Sequence, residues 1–361
     1  MAISETLIVR VTDGQPKLVK EQFPLPTPNP GQVQVKLSHV AQNPTDGIFD
    51  IPVPTDKAHA PQFNVSTQMP LETEPCWGAT LSEKSPSSVI KSLNLPTVTL
   101  WQLLIKILGE TPGLGGYSQY SVADQRISFK VPASISRAEA STVPLAATTA
   151  WLALFSRGCL NIDRSRAGTS VLVWGGSSSV GLYTIQLASI CGLNVITTCS
   201  PRNADLVRSC GASHVFDYND PNVIESITKA APDLRYVFDT IGDKTTSSTS
   251  CRVFGDRPGN LCTVRPGKAN TEQVTANTHV TDVLVWTAFL KDHGYGTFHW
   301  PASQEDHELA SELFENLPSW LVQGRVKPNK AKVFHGLDSV AQGFQEYRDG
   351  GVSAYKIVYE V

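Results

Sequence analysis

The stretch WGGSSSVGLYTIQLASICGLNVITTCSPRN (Trp174–Asn203) decides the fold of this chain. It continues a short apolar run that begins at Ser170 and is typical of a buried parallel strand. A turn of small residues follows, then a helical pattern that ends near Gly192, then a second strand over Asn194–Ser200. This order of strand, glycine-containing turn, helix and strand predicts one unit of a doubly wound α/β sheet.

The same alternation continues toward the C-terminus. We predict a second helix in Asn203–Ser213, a third strand in His214–Tyr218, a helix in Val223–Ala231 and a fourth strand in Leu234–Gly242. In doubly wound sheets, ligands bind at the carboxyl ends of the strands. The turn after Trp174 is therefore the first place to look for a bound ligand.

Composition excludes several classes of partner. The chain has 361 residues, 41% of them hydrophobic and 17% charged, with a formal net charge of −3. Two domains are expected from the length, and the absence of a basic run argues against nucleic acid and anionic membranes. The seven cysteines are spread singly, the N-terminal sequence has no signal-peptide pattern, and no stretch is apolar enough to span a membrane. We therefore expect reduced thiols and a cytoplasmic location.

The turn GGSSSVG (Gly175–Gly181) departs from the usual GxGxxG pattern. Gly176 is expected to permit the tight turn, and Gly181 to let the helix approach the sheet. Backbone N–H groups and serine hydroxyls would then bind a pyrophosphate at the start of the helix, and the residues concerned are Ser177, Ser178, Ser179 and Val180. The alternative is a capped turn that binds no ligand.

The end of the second strand indicates which dinucleotide is bound. Enzymes that use NAD commonly carry Asp or Glu there for the ribose diol, whereas this chain has Ser200, Pro201, Arg202 and Asn203. A hydroxyl and a guanidinium suit a 2′-phosphate, so the sequence favours NADPH. Alternatively, Ser200 caps the next helix and Arg202 is a solvated residue of its first turn.

Six motifs together resemble the medium-chain reductase superfamily and, more narrowly, the fungal trans-acting enoyl reductases that partner polyketide synthases. They are AQNPTD (41–46), GLGGYSQYSVAD (113–124), ASTVPLAATTAW (140–151), GGSSSVG, TTCSPRN and VFDY. The resemblance implies a GroES-like β-barrel catalytic domain (1–135), a doubly wound Rossmann cofactor domain (136–300) and a C-terminal return to the catalytic domain (301–361). It also implies a zinc-free enzyme, in agreement with the lack of a GHE motif and of four closely spaced cysteines.

The resemblance further assigns residues to the site. Cofactor contacts would come from Pro44, Thr45, Asp46 and Gly47 on the nicotinamide side, from Tyr218 beside the adenine ribose, and from Ser353 and Ala354. The acyl pocket would be lined by Thr142, Val143, Pro144, Leu145, Ala146, Ala147, Thr148 and Thr149, and by Val283, Leu284, Val285, Trp286 and Thr287. Alternatively, residues 44–47 form an ordinary turn capped by Asp46, and the small residues of 142–149 serve only helix packing.

The implied reaction is NADPH-dependent reduction of an α,β-unsaturated thioester, with the acyl group carried by an acyl carrier domain of a polyketide synthase. No catalytic residue is assigned, because no His, Tyr or carboxylate stands at a diagnostic spacing for the proton donor. A stand-alone quinone or enone reductase, and a catalytically impaired NADPH-binding homologue, remain as alternatives. The chain is expected to be a monomer or a dimer.

Residues 48–112 break the resemblance. A glycine-rich barrel segment is expected here, but the chain is rich in Pro, Ser and Thr with little strand periodicity. Codons possible for Leu71–Thr80, read in a shifted frame, can encode the missing glycine-rich motif. Our hypothesis is therefore a retained intron or a misplaced splice site, followed by translation out of frame. The alternative is a genuine divergent insertion.

Overall fold

The computed structural model describes residues 2–12, 15–44, 46, 115–295 and 298–361. Thr45, Gly47 and residues 48–112, on which predictions were placed above, lie outside the described residues. The hypothesis about the origin of 48–112 therefore stays a prediction.

The N-terminal part and the segment after residue 115 supply five strands of small sheets. They are β1 (Ile3–Thr12), β2 (Gln15–Pro24), β3 (Gln32–Lys36), β4 (His39–Ala41) and β5 (Tyr120–Asp124). Strands β1 and β2 form an antiparallel hairpin, and β3 pairs antiparallel with β5. The two pairs are connected through residues 117–119, since Thr6 bridges to Ser118 and the N–H of Leu37 donates to the Gln119 carbonyl.

The middle of the chain forms the doubly wound unit. Its elements are α1 (Arg137–Ser141), α2 (Pro144–Phe155), β6 (Ser170–Trp174), α3 (Ser179–Ile190), β7 (Asn194–Thr198), α4 (Ala204–Ser209), β8 (His214–Phe216), α5 (Val223–Ala230), β9 (Tyr236–Asp239), α6 (Thr246–Ser250), β10 (Gly259–Thr263) and β11 (Thr278–Asp282). The six strands run parallel in the order β11-β10-β9-β6-β7-β8. This confirms the predicted fold class and the strands and helices read from 170–242.

The C-terminal part contains β12 (His293–Tyr295), β13 (Phe298–Trp300), α7 (Gln304–Val322), β14 (Ala331–His335), α8 (Val340–Arg348) and β15 (Lys356–Glu360). Strand β15 lies between β14, to which it is parallel, and β4, to which it is antiparallel. Helix α7 instead packs with α2, where the indole N–H of Trp151 donates to the Leu309 carbonyl over 2.9 Å. The pairing with the N-terminal strands therefore starts at Ala331, and the predicted boundary at residue 301 stays a prediction.

Apolar clusters explain why these sheets hold together. Two large clusters cover the parallel sheet, one built mainly from α2, α3 and α7 and the other from α5 and the segment 251–254. A smaller cluster joins the two ends of the chain, with Leu7, Val40 and Tyr117 packed on Val340, Phe344 and Tyr359. Apolar burial at roughly 25 cal/mol per Å² makes such clusters the main source of stability.

Candidate functional site

The parallel sheet has its topological switch point between β6 and β9. These strands are neighbours in the sheet, and the chain leaves them toward opposite edges. The crevice beyond their carboxyl ends is where doubly wound sheets bind ligands. The turn that follows β6 lies at this crevice, as the sequence predicted.

Glycines allow the turn and the helix to come close together. Gly175 has a φ of +87°, in the left-handed region that favours glycine. The residue whose backbone conformation requires glycine in the tight turn is therefore Gly175, and not Gly176 as expected. A Cβ on Gly176 would lie 2.0 Å from Oγ1 of Thr197, and one on Gly181 would lie 2.4 Å from the Gly175 carbonyl oxygen. The close approach expected at Gly181 is therefore confirmed, because a side chain there would collide with backbone.

The protein itself uses two of the three serine hydroxyls in the turn. The Ser178 hydroxyl caps α3 by accepting the Gly181 N–H over 2.9 Å, and it lies 2.8 Å from Oγ1 of Thr240. The Ser179 hydroxyl accepts from the amide of Asn329 over 2.6 Å. The N–H groups of Ser179 and Val180, at the start of α3, have no acceptor in the part of the chain that the structure describes. These N–H groups, with the half-buried Ser177 beside them, are the donors left for a phosphate.

Residues predicted for the 2′-phosphate meet at the end of β7. The Ser200 hydroxyl lies 3.3 Å from that of Tyr218. Arg202 and Asn203 both donate to the Ser353 hydroxyl, over 3.2 and 3.4 Å. The structure thus brings together five predicted residues from three separate parts of the chain, which we call the Arg202 cluster. Pro201 opens the short 3₁₀ turn between them, and Ala354 follows Ser353 with a φ of +57°.

The structure contradicts one part of the alternative for this cluster, the capping role of Ser200, whereas Arg202 is exposed as that alternative expects. Ser200 stands at the cap position of the 3₁₀ turn, but its side chain makes no capping hydrogen bond. The guanidinium of Arg202 is exposed, and its contact to Ser353 leaves other N–H groups free to bind an anion. The cluster therefore offers the fork of donors that suits a phosphate.

The turn at residues 43–46 is stabilised by hydrogen bonds between its own residues. The Asn43 carbonyl accepts the Asp46 N–H over 3.0 Å, and Oδ2 of Asp46 accepts the Asn43 N–H over 2.7 Å. Asn43 and Asp46 are buried, whereas Pro44 is exposed. The Asp46 carboxylate thus serves the turn, as the alternative reading proposed, and any contact from Asp46 or Pro44 to a nicotinamide would use the backbone or the proline ring.

Residues 142–149 connect α1 to α2 and form the first part of α2, and they lie mostly in the core. Every residue of this segment except Leu145 is buried. Thr142 shares a 3.1 Å hydrogen bond with the hydroxyl of Tyr183, and Thr149 donates to the Leu145 carbonyl over 2.8 Å. Oγ1 of Thr148 is buried without a partner among the described residues. Helix packing accounts for most of these side chains, and the assignment of the segment to an acyl pocket stays a prediction.

Residues 283–287 follow β11 and contact the first turn of α7. The Val283 N–H donates to the carbonyl of Thr263 over 3.0 Å, and Thr287 donates to the Asp306 carboxylate over 2.6 Å. Leu284 is buried, and Val285 and Trp286 are partly buried. The indole N–H of Trp286 has no partner in the described ranges. Whether this segment touches a substrate also stays a prediction.

Sequence reasoning missed the crevice residues that follow β9 and β10. Ile241 is 38% exposed, and a Cβ on Gly175 would lie 2.6 Å from its side chain. Arg265 donates from Nε to the Gly242 carbonyl over 2.7 Å. A signal existed only for the first of them, since Thr240–Gly242 forms the carboxyl end of the strand predicted over Leu234–Gly242, and Arg265 follows a strand that was not predicted. They extend the crevice surface from the glycine turn toward β10.

The donor set does not fit a bound zinc ion in the part of the chain that the structure describes. No group of three or more His, Cys, Asp or Glu side chains is close enough there to hold a metal. Burial raises the pKa of the Cys191, Cys199 and Cys210 thiols, which disfavours the thiolate that zinc requires. The expectation of a zinc-free enzyme stays a prediction.

These features define a class of protein: a doubly wound unit of the kind that binds dinucleotides, joined to small sheets made from both ends of the chain. A family model described as zinc-binding dehydrogenase matches residues 179–284. A zinc-type alcohol dehydrogenase-like protein of Schizosaccharomyces pombe is 31% identical over 258 residues, covering 68% of this chain and 72% of that protein. A trans-enoyl reductase of Alternaria alternata is 30% identical over 256 residues, covering 68% and 71%.

A solved structure shows the same fold. The alcohol dehydrogenase superfamily protein of Novosphingobium aromaticivorans superposes with a TM-score of 0.66 at 20% identity, covering all of both chains. The chain belongs to the medium-chain dehydrogenase/reductase family. It is an oxidoreductase of the kind that uses a nicotinamide cofactor. Within the described residues, no helix is long and apolar enough to cross a membrane.

Proposed function

We propose that the chain is an NADPH-dependent reductase of α,β-unsaturated thioesters. The acyl group would be presented by an acyl carrier domain of a polyketide synthase, so the enzyme would act in trans. The fungal relative named a trans-enoyl reductase supports this choice of reaction. The Arg202 cluster is the observation that carries the choice of cofactor, because it offers a cation and amide and hydroxyl groups, with no carboxylate at positions 200–203.

The residues present fit the dinucleotide. Gly175, Gly176 and Gly181 let the turn pack closely on its neighbours, since a Cβ on each would lie 2.0 to 2.6 Å from other protein atoms. The N–H groups of Ser179 and Val180 would bind the pyrophosphate, and the Arg202 cluster would bind the 2′-phosphate. The bound cofactor would supply a hydride to the β-carbon of the enoyl group.

The chain's own residues would orient the reactants. The partly exposed side chain of Ile241 lies against Gly175, so it adds an apolar surface beside the N–H groups of the turn. The α-carbon must receive a proton, and neither the sequence nor the described residues single out a side chain as its donor. We therefore assign no catalytic acid and propose that solvent supplies this proton.

The first test is binding of NADPH and NADH to the purified 361-residue chain. We expect NADPH to bind at least about tenfold more tightly, the effect of one charge-assisted hydrogen bond. Arg202→Met should abolish that preference while leaving NADH binding unchanged. The matched control is Arg208→Met, which removes an exposed arginine of α4 that pairs with Asp205. Equal affinities in the unmodified chain would contradict the proposed cofactor.

The second test is NADPH consumption with a model enoyl thioester. Turnover of the thioester supports the proposal, whereas turnover restricted to free quinones or enones would identify a stand-alone reductase. Tight NADPH binding without turnover of any of these would indicate an impaired homologue. A cytoplasmic location is proposed with this function, and the cysteines among the described residues are all free thiols.

A further inference from the structure

A buried lysine lies next to the turn at residues 43–46, which the family resemblance places on the nicotinamide side of the site. Lys356, the first residue of β15, is only 5% exposed, and its ammonium donates to Oδ1 of Asn43 over 2.6 Å. A lysine is almost never this deeply buried unless it is paired. Neither the family resemblance nor the comparisons assign it a role. Its burial therefore needs a reason.

The partner charge is the carboxylate of Asp46, which is 2% exposed. Its Oδ2 accepts from the Tyr117 hydroxyl over 2.8 Å as well as from the Asn43 N–H. Its Oδ1 is buried without a hydrogen-bond partner among the described residues. Asn43 bridges the two charges, since its side chain accepts from Lys356 while its backbone donates to Asp46.

The titration of both groups reflects this shared burial. Desolvation raises the pKa of Asp46 to about 6, and the nearby Lys356 charge opposes that rise. Desolvation lowers the pKa of Lys356 to about 8, and the Asp46 charge opposes that fall. The other titratable groups of the described residues that face Asp46 are the hydroxyls of Tyr117 and Tyr359. Both groups are therefore charged together between about pH 6 and pH 8.

Lys356 also lies three residues from Ser353, which contacts Arg202 and Asn203. Three residues span at most about 11 Å of chain. One short segment of the C-terminal part thus contacts both the Arg202 cluster and the Asn43–Asp46 turn. Fixing the start of β15 fixes both ends of the proposed cofactor site.

We propose that Lys356 is a positioning residue of the cofactor site: its buried ammonium group binds Asn43 and faces the Asp46 carboxylate, and it thereby holds the 43–46 turn against the segment that carries Ser353. The proposal rests on the function proposed above for the site as a whole. It assigns no chemical step to Lys356, which acts through Asn43 and Asp46.

The test measures Asp46 directly and without cofactor. Aspartate carboxyl groups labelled with ¹³C are titrated by NMR, and the Asp46 signal is identified by its loss in Asp46→Asn. In Lys356→Met, the pKa of Asp46 should rise by about one unit or more, because the opposing positive charge is gone. Lys356→Arg should restore most of the original value. Lys330→Met, at an exposed lysine beside the same sheet, is the matched control and should leave it unchanged.

NADPH binding provides the second measurement. Lys356→Met should weaken NADPH binding about tenfold, the effect of losing one hydrogen bond to a charged group, and raise the KM for NADPH more than it lowers kcat. An unchanged pKa of Asp46 in Lys356→Met would overturn the positioning role. If the unmodified chain binds NADPH, an equal affinity in Lys356→Met would overturn it as well. Failure of the unmodified chain to bind NADPH, with the pKa shift present, would instead reject the proposed function.

A reciprocal variant covers the case in which Lys356→Met does not fold. In Asp46→Asn, the pKa of Lys356, followed through ¹³C-methylated lysine, should fall below about 8, because the stabilising negative charge is gone. An unchanged value would overturn the inference equally.

Discussion

The parallel sheet and the small sheets around β15 bury their polar groups in different ways. In the parallel sheet, the buried carboxylate of Asp239 is satisfied by groups close to it in the chain: it accepts from two backbone N–H groups and from the hydroxyls of Thr246 and Ser247. Around β15, charged groups from opposite ends of the chain face one another, and Oδ1 of Asp46 has no partner in the described ranges.

This difference indicates which region of the molecule has a stability that depends on pH. The pKa shifts of the buried Asp46 and Lys356 belong to the small-sheet region. Apolar burial, which dominates the parallel sheet, is insensitive to protonation. The stability of the parallel sheet therefore depends mainly on steric fit, whereas the stability of the region around β15 depends on charge.

The largest expected effect is a loss of stability caused by overpacking in the parallel-sheet unit. Gly181→Val places a side chain 2.4 Å from the backbone of Gly175, which cannot move without disturbing the turn. We expect a loss of roughly 3 kcal/mol or more in the free energy of unfolding, measured by denaturant titration. Gly158→Ala is the control, because its Cβ would meet only the Ser156 hydroxyl at 3.6 Å. Equal stability of the two variants would mean that α3 does not approach the turn as described.

The second effect concerns charge near β15 and has a definite sign. Asp46 has its pKa raised from 3.8 to about 6 in the folded state, so the native chain holds more protons than the unfolded chain between these values. Stability should therefore fall as the pH rises from about 4 to about 6, by roughly 3 kcal/mol at about 1.4 kcal/mol per unit. Asp46→Asn should remove this slope.

The measurement is the free energy of unfolding at pH 4, 5, 6 and 7 for both chains. Asp233→Asn, at an exposed carboxyl of the parallel-sheet unit, serves as the control and should keep the slope. A slope that persists unchanged in Asp46→Asn would assign the pH dependence to other groups. Such a result would also weaken the contrast drawn between the two regions.

The smallest expected effect on stability concerns the glycine turn at residues 175–181. Ser178→Ala removes the cap of α3 and the contact to Thr240, and we expect a loss of about 1 kcal/mol in unfolding free energy. Ser209→Ala, which removes an exposed hydroxyl that donates to the Leu206 carbonyl, should cost less. Affinity for NADPH should change little in Ser178→Ala if backbone N–H groups, not hydroxyls, bind the phosphate. A large loss of affinity at unchanged stability would show that the hydroxyl contacts the cofactor.

Much of the parallel-sheet half was predictable because its signals are local. The apolar strand at Ser170, the turn and the helix up to Gly192 follow one another within about one supersecondary unit, so spacing alone reveals them. The residue types at 200–203 likewise follow directly from the end of a strand. The partners of Ser178 and Ser179 were not predictable, since Thr240 and Asn329 lie far away along the chain.

The sequence by itself determined the doubly wound unit, the glycine turn at its switch point and the residue types that favour NADPH. Only the tertiary structure decided that Ser353 lies beside Arg202, and that Lys356 lies beside Asn43 and Asp46, more than 300 residues away. The physical reason is the range of the interactions. Backbone hydrogen bonds and apolar periodicity act over a few residues and leave a pattern in the sequence, whereas the pairing of β15 with β4 depends on long-range packing that leaves none.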